Sequence, residues 1–322
     1  MAKNTYEILA ADIGGTSSRF ARFTGSDPKS LSMHEVERLK TGRSGSFGEL
    51  LEMLEQSDFP LSPGDADVFS LAIAGPVIGD KSYPPNISWD LDLGNAKEDY
   101  GFERFGLTND FSAQAYACRS PAVHEAGTVL EGRAAEEAVV GVIGAGTGLG
   151  KAALIPDGRG GWAALPTEGG HELFAFVTRE EFEYSEFVRK TLGRRDVIGD
   201  LVVSGTGLSM VHRFLTGEDL KPAEVASKFD DYPRTLELFS RFYARAAKNF
   251  ALVTLPMGGL YIAGGVAAKN PALVQNEHFE REFRSSETHG ELLSGIKVML
   301  NSNEDSGLYG AAMLGIQILT KR

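Results

Sequence analysis

A short polar step, Thr108-Asn109-Asp110, stands between an apolar run that ends at Leu107 and a segment rich in helix formers, Phe111 to Cys118. A carboxylate at such a joint is presented rather than buried. Asp110 can serve there as the cap of a helix or as a base that takes a proton from a substrate hydroxyl. The residues alone leave both open. A second stretch, Asp12-Ile13-Gly14-Gly15-Thr16, follows the apolar run Glu7 to Ala11 and precedes a strand-like run, Ser18 to Phe23. This pattern predicts a hairpin with a glycine tip. Adjacent glycines allow positive φ and remove the Cβ atoms that hold a ligand off the backbone, so successive N–H groups and the Thr16 hydroxyl can face a phosphate. Asp12, beside them, suits a hydrated Mg2+, which takes oxygen ligands and keeps several waters. A tight turn with an ordinary aspartate fits the same residues.

The motif returns in the second half of the chain. Val139 to Ile143 reads as a strand entering Gly144-Ala145-Gly146-Thr147-Gly148-Leu149-Gly150, and Lys151 to Ile155 returns as a strand. A Walker A loop needs Gly at 145 and Ser or Thr at 152, and both are Ala; a dinucleotide fingerprint needs Gly at 149, which is Leu. What remains is a second glycine hairpin with Thr147 at its tip. Two such hairpins suit the gripping of a polyphosphate. Glu168 and His171, three residues apart around Gly169-Gly170, lack a partner cysteine for a zinc site. They read as hydroxyl-binding groups or as a polar surface loop. After the strand Leu260 to Ala263, the pair Gly264-Gly265 lets a flat base lie close to the backbone. Trp89, in Asn86-Ile87-Ser88-Trp89, either faces a polyhydroxylated ring or plugs the domain, the plug being favoured.

The elements that must position these groups alternate. Helices are predicted over Phe47 to Gln56, Glu180 to Leu192, Leu208 to Leu215 and Tyr232 to Leu255, with strands over Val68 to Ala74 and Leu260 to Ala263. Leu236, Phe239, Phe242, Tyr243, Ala246 and Phe250 in the longest of these helices read as a core face. Ser306 to Leu319 reads as a C-terminal helix with one closely packed face.

At 322 residues the chain suggests two domains, since single cores stop growing near ~250 residues, and with them a cleft. The 44 acidic against 32 basic side chains give a formal charge of −12, which argues against a nucleic-acid footprint. A bound anion must then draw on backbone N–H groups and a divalent metal. The one cysteine, Cys118, cannot form an internal disulfide and reads as a small buried side chain. No apolar run approaches the ~20 residues of a membrane span, and the N-terminal stretch lacks a signal region. The expected compartment is the cytoplasm, with no membrane partner.

In this order, the Asp-Ile-Gly-Gly-Thr hairpin, the Asn-Asp joint, the Gly-Ala-Gly-Thr-Gly hairpin, the Ala-Gly-Gly strand end and the Gly-Ala-Ala helix resemble the nucleotide site of the sugar kinase and actin superfamily. Asn109-Asp110-Phe111, Gly144 to Gly150, Glu168-Gly169-Gly170-His171, Ser204-Gly205-x-Gly207-Leu208 and Ile262-Ala263-Gly264-Gly265 are similar to the ATP-dependent bacterial glucokinases. The resemblance runs from residue 8 to about residue 316. It implies an α/β enzyme of two ribonuclease-H-like domains, 1–119 with 304–322 and 120–303, with a cleft between them and the C-terminal helix returning to the first. It also implies transfer of the ATP γ-phosphoryl group to the 6-hydroxyl of glucose, the entry step of glycolysis, with Mg2+ and as a homodimer.

By the same resemblance Asp110 is the catalytic base, and Asn86, Asn109, Glu168 and His171 contact the sugar. Asp12, Gly14, Gly15, Thr16, Gly144, Gly146, Thr147, Gly148, Gly264 and Gly265 hold ATP, with Mg2+ at Asp12 through water. Asp200 stands where the family usually has Glu against the sugar, one methylene shorter; Thr206 stands where a Pro is common. A kinase for mannose or fructose would use the same parts. The related repressors need a DNA-binding module ahead of the first strand, which starts by about residue 7, and an actin-like filament protein has no use for Asn109-Asp110 with Glu168 and His171.

Overall fold

The computed structural model describes residues 5–320. Residues 1–4 and 321–322 lie outside them, and with them the start of the stretch read for a signal region and both outer ends of the first expected domain. In chain order the elements are β1 Tyr6–Ile13, β2 Ser18–Gly25, β3 Ser32–Leu39, α1 Phe47–Glu55, β4 Val68–Ile73, β5 Val77–Ile78, β6 Lys81–Ser82, β7 Leu91–Asp92, α2 Ala96–Tyr100, β8 Phe105–Asn109 and α3 Asp110–Ala117. Then follow β9 Gly127–Leu130, β10 Val140–Ala145, β11 Leu149–Pro156, β12 Trp162–Thr167, α4 Arg179–Leu192, α5 Gly199–Val202, α6 Gly205–Thr216, α7 Pro222–Ala226 and α8 Pro233–Thr254. The chain ends with β13 Leu260–Ala263, α9 Gly265–Lys269, α10 Glu277–Arg284, α11 Gly290–Gly295, β14 Val298–Leu300 and α12 Ser306–Thr320. Two compact units result: residues up to 125 with 154–166 and from 303 onward, and residues 126–153 with 167–302.

The sheet of the first unit runs β3-β2-β1-β4-β8. Strand β1 is antiparallel to β2 and parallel to β4, which is parallel to β8. Ile8 to Ala11 are fully buried, the near-continuous apolar run of a strand covered on both faces. On one face Phe47, Leu50, Leu51 and Leu54 of α1, spaced three and four apart, pack with Leu9, Ala11, Phe69 and Leu71. On the other lies α12, so close that a Cβ on Gly315 would stand 3.1 Å from Val68 and 3.2 Å from Ile8. The C-terminal helix thus packs on the first sheet, as expected. Trp89 is buried against Phe47 and its Nε1 meets no partner. It is a plug.

The second unit repeats the design. Its sheet runs β12-β11-β10-β13-β14-β9, with β10, β13 and β14 parallel and β9 antiparallel on the outer edge. A hairpin of β10 and β11 again leads to parallel neighbours, as β1 and β2 do. Phe239, Phe242, Tyr243, Ala246 and Phe250 of α8 lie in the core, with Leu236 half-buried against it. Residues 154–166, the far end of the β11–β12 hairpin, group with the first unit. There Trp162 N–H donates to Gln317 Oε1 at 2.7 Å and the Arg119 guanidinium lies 4.8 Å over the Trp162 ring.

Candidate functional site

Register decides which residues of the first unit share an edge. Ile13 pairs with Ile73 and Ile73 with Asn109, so the turn after β1 and the start of α3 follow the same row of strand ends. This is the carboxyl edge at which open α/β sheets bind ligands. Asn109 is buried and caps α3, its Oδ1 accepting from Ser112 N–H at 2.7 Å. Of the two readings of Asp110, the helix cap falls to its neighbour. Asp110 is the first helical residue, half-buried, with Oδ1 accepting from Phe111 N–H at 2.9 Å. An amide has taken over the capping that a carboxylate would otherwise supply, and the carboxylate projects from the favourable end of the helix dipole.

The turn after β1 differs from its reading in the sequence. Gly14 and Gly15 are not among the positive-φ glycines; what they provide is proximity. A Cβ on Gly15 would stand 2.6 Å from the Asn86 carbonyl oxygen, which is how exposed Asn86 comes to lie against the turn. Gly14 N–H donates to Ser17 O at 3.1 Å and Gly14 O accepts from Thr41 Oγ1 at 2.7 Å. The turn is therefore closed on itself and braced by Thr41. Among the described residues the N–H groups of Gly15 and Thr16 donate to no backbone carbonyl.

Asp12 is engaged. The Arg19 guanidinium donates to its Oδ2, to Glu304 O at 2.6 Å and to Asp305 Oδ1 at 3.1 Å. Gly307 allows this approach, since a Cβ there would meet Asp12 Oδ2 at 2.5 Å. No group of three or more His, Cys, Asp or Glu among the described residues could hold a metal. A Mg2+ held by one carboxylate through water, with phosphates completing its shell, needs none. Asp12, whose Oδ1 is not the oxygen held by Arg19, fits such an ion.

In the second unit the turn between β10 and β11 is likewise closed by its first glycine, with Gly146 N–H donating to Gly148 O at 2.8 Å. Asp200, on α5, accepts from Leu149 N–H at 2.6 Å through Oδ1. A Cβ on Gly148 would lie 2.7 Å from its Oδ2. The residue read as a sugar contact thus holds the base of the glycine turn. Glu168 precedes and His171 ends a 3-10 turn, Gly169–His171; both are exposed, with His171 Nε2 3.9 Å from Glu168 Oε2. Gly264 does need its glycine. It has φ +84°, and a Cβ would stand 2.5 Å from Ala145 O.

Sequence reasoning missed Tyr243 as a brace. Ala145 N–H donates to its Oη at 3.1 Å, and the hydroxyl donates to Ala263 O at 3.4 Å, pinning two strand ends together. Burial pushes this phenol well above its usual range, so it stays neutral. Also missed were Pro222, Ser227, Lys269 and Asn270, together with a place in the site for Gly205 and Thr206. With Gly146, Thr147 and Gly265 they line a cavity of about 640 Å³, inside the ~300–1,000 Å³ range of small-molecule sites. The turn and the pocket are joined directly, Gly205 N–H donating to Gly146 O at 2.9 Å. The signal in the sequence was Ser204-Gly205-x-Gly207, where Ser204 Oγ caps α6 by accepting from Gly207 N–H at 3.1 Å. A concavity of about 700 Å³ along α4, lined by Arg179, Phe182 and Phe187 among others, offers no such backbone donors.

Comparison with known proteins places these features in a family. The family described as glucokinase matches residues 9–318. A glucokinase of Trichormus variabilis is 30% identical over 346 residues, covering 97% of this chain and 99% of its own. The crystal structure of a glucokinase from an Antarctic psychrotroph superimposes with a TM-score of 0.80 at 25% identity, over 97% of this chain and 98% of that one. A glucokinase of Streptomyces griseus, solved with glucose and AMPPNP, has a TM-score of 0.63 at 18% identity, over 97% and 99%. Matched over almost its whole length, and sharing the actin-like ATPase fold of these structures, this chain belongs to the glucokinase family and is an ATP-dependent sugar kinase.

Proposed function

We propose that the chain transfers the γ-phosphoryl group of ATP to the 6-hydroxyl of glucose, giving glucose 6-phosphate and ADP, with Asp110 as the base. The observation that carries this reading is the start of α3 at the carboxyl edge of the first sheet, where Asn109 caps the helix and Asp110 is its first residue. Asp110 accepts the hydroxyl proton as the oxygen attacks phosphorus in line and ADP leaves. Phosphoryl transfer has a loose transition state, so positioning and charge stabilisation carry the catalysis. Asn86, Asn109, Glu168, His171 and Asp200 hold the sugar hydroxyls. The N–H groups of Gly15, Thr16, Thr147 and Gly148 spread the charge that develops on the phosphates, while Gly264, Gly265 and the pocket beside Gly146 take the nucleoside.

A Mg2+ at Asp12, bound through water, would supply neutralising charge on the phosphate oxygens. Domains at 1–119 with 304–322 and at 120–303, a cytoplasmic site of action at the entry to glycolysis, and a homodimer complete the proposal. No helix among the described residues is long and apolar enough to cross a membrane. A panel of hexoses and nucleotide donors with ADP detection tests the reading. Glucose and ATP giving the highest kcat/KM supports it; a higher value for mannose or fructose transfers the assignment to that hexose, an outcome that the short side chain of Asp200 keeps open.

A further inference from the structure

Lys151, the second residue beyond the tip of the β10–β11 hairpin's returning strand start, is 5% exposed. Lysine is almost never so buried unless paired. Its Nζ donates to Gly169 O at 2.8 Å and to Glu172 Oε2 at 3.1 Å. Its stem runs against Gly169, where a Cβ would stand 3.0 Å from the Lys151 Cδ. The backbone is tied as well: Thr167 Oγ1 donates to Lys151 O at 2.9 Å and accepts from Gly169 N–H at 3.2 Å. These contacts end on Thr167, Gly169 and Glu172, within and on either side of the turn that carries Glu168 and His171. The turn is stiffened internally by His171 N–H donating to Glu168 O at 3.0 Å, and Gly170 packs on Leu149 O on its other side; the Lys151 ammonium is the charged group that holds its Gly169 and Glu172 ends.

We infer that Lys151 is a positioning residue for sugar binding. Its buried ammonium fixes the Glu168–His171 turn to the strand that leaves the glycine hairpin. The charge matters because a carbonyl and a carboxylate converge on one donor group, and charge-assisted bonds are the strong ones. Lys151 touches neither sugar nor phosphate; it acts through the turn. This inference rests on the glucokinase reading given above and adds to it a residue outside the hydroxyl-binding set.

The test is glucose affinity by calorimetry, together with steady-state KM and kcat, for the wild type, Lys151→Met and Lys151→Arg. Lys151→Met keeps the stem and removes the donor. Its glucose Kd and KM should rise about tenfold, the worth of one lost charge-assisted hydrogen bond, with the KM for ATP within about twofold and kcat much less affected. Lys151→Arg should recover most of the affinity. A glucose Kd in Lys151→Met equal to that of the wild type overturns the inference, as does a fall confined to kcat or to thermal stability. Should Lys151→Met not fold, Glu172→Gln decides: its carboxylate is exposed, and the variant should raise the glucose Kd about threefold by removing one partner of the ammonium, an unchanged Kd overturning the inference. A wild type that binds no glucose overturns the functional reading, and the inference with it.

Discussion

Asn109 Oδ1 accepts from Ser112 N–H at 2.7 Å, which makes the asparagine, and not its neighbour Asp110, the cap of α3. The two residues can therefore be separated by mutation. Asp110→Asn should leave the fold and glucose binding intact and lower kcat by ~10² to 10⁴-fold, the usual worth of general-base help. Glucose-dependent ADP release near the wild-type rate would remove Asp110 from the mechanism. Asn109→Ala should instead cost about 0.5–2 kcal/mol of stability through the lost cap, read as a lower Tm.

Asp200 occupies a tight place. Its Oδ1 holds Leu149 N–H at 2.6 Å, and Cβ atoms on Gly148 and Gly170 would stand 2.7 and 2.6 Å from its oxygens. Asp200→Glu adds a methylene where there is no slack, so the glycine turn or the sugar turn must move. The ratio of kcat/KM for glucose over mannose should change by the equivalent of ~1–3 kcal/mol. An unchanged ratio would confine Asp200 to bracing the hairpin.

The crossing of α12 over α3 depends on one missing atom. A Cβ on Gly310 would lie 1.8 Å from Ala113 O and 2.5 Å from its carbon, both backbone. Gly310→Ala should force the helices apart, costing at least ~1–3 kcal/mol as overpacking does. Urea titration should show the lower midpoint, and kcat should fall with it because α3 begins at Asp110. An unaltered midpoint would mean that the crossing is looser than described.

His212 is fully buried, its Nδ1 3.3 Å from Thr235 Oγ1 and its Nε2 without a hydrogen bond. Burial pushes its pKa below the ordinary value, with the Glu218 carboxylate 3.9 Å away opposing in part. Below the ordinary imidazole value of about 6.5 the unfolded chain takes up a proton that the folded chain resists, so unfolding free energy must fall as pH drops through that window. His212→Asn should flatten the slope between pH ~7 and ~5 relative to the wild type. Parallel slopes in the two proteins would exclude His212 as the source.

Cys118 lies 2% exposed at the end of α3, its thiol donating to Gln114 O at 3.2 Å. Burial pushes its pKa up to about 12, so the thiolate that reacts with alkylating reagents is scarce at neutral pH. Native protein should resist iodoacetamide and unfolded protein should react. Rapid labelling of the native chain with retained activity would contradict the burial.

Sequence by itself determined what is local. A strand, a glycine turn and a returning strand are written within 17 residues at Glu7 to Phe23 and again at Val139 to Ile155, and the apolar runs alternate with helical periodicity between them. The Asn109-Asp110 joint was equally plain, because a strand end and a helix start are both short-range signals. Tertiary structure decided the rest. Which residue caps α3, whether the glycines serve φ or proximity, that Arg19 engages Asp12, that Asp200 holds Leu149, and that Lys151 reaches Gly169 all depend on pairs brought together by packing. Asp200 and Leu149 are 51 residues apart, and the lysine and its carbonyl 18. No periodicity spans such separations; the pairing of β11 with β12 returns the Gly169 turn to Lys151, and α5 sets Asp200 against the start of β11.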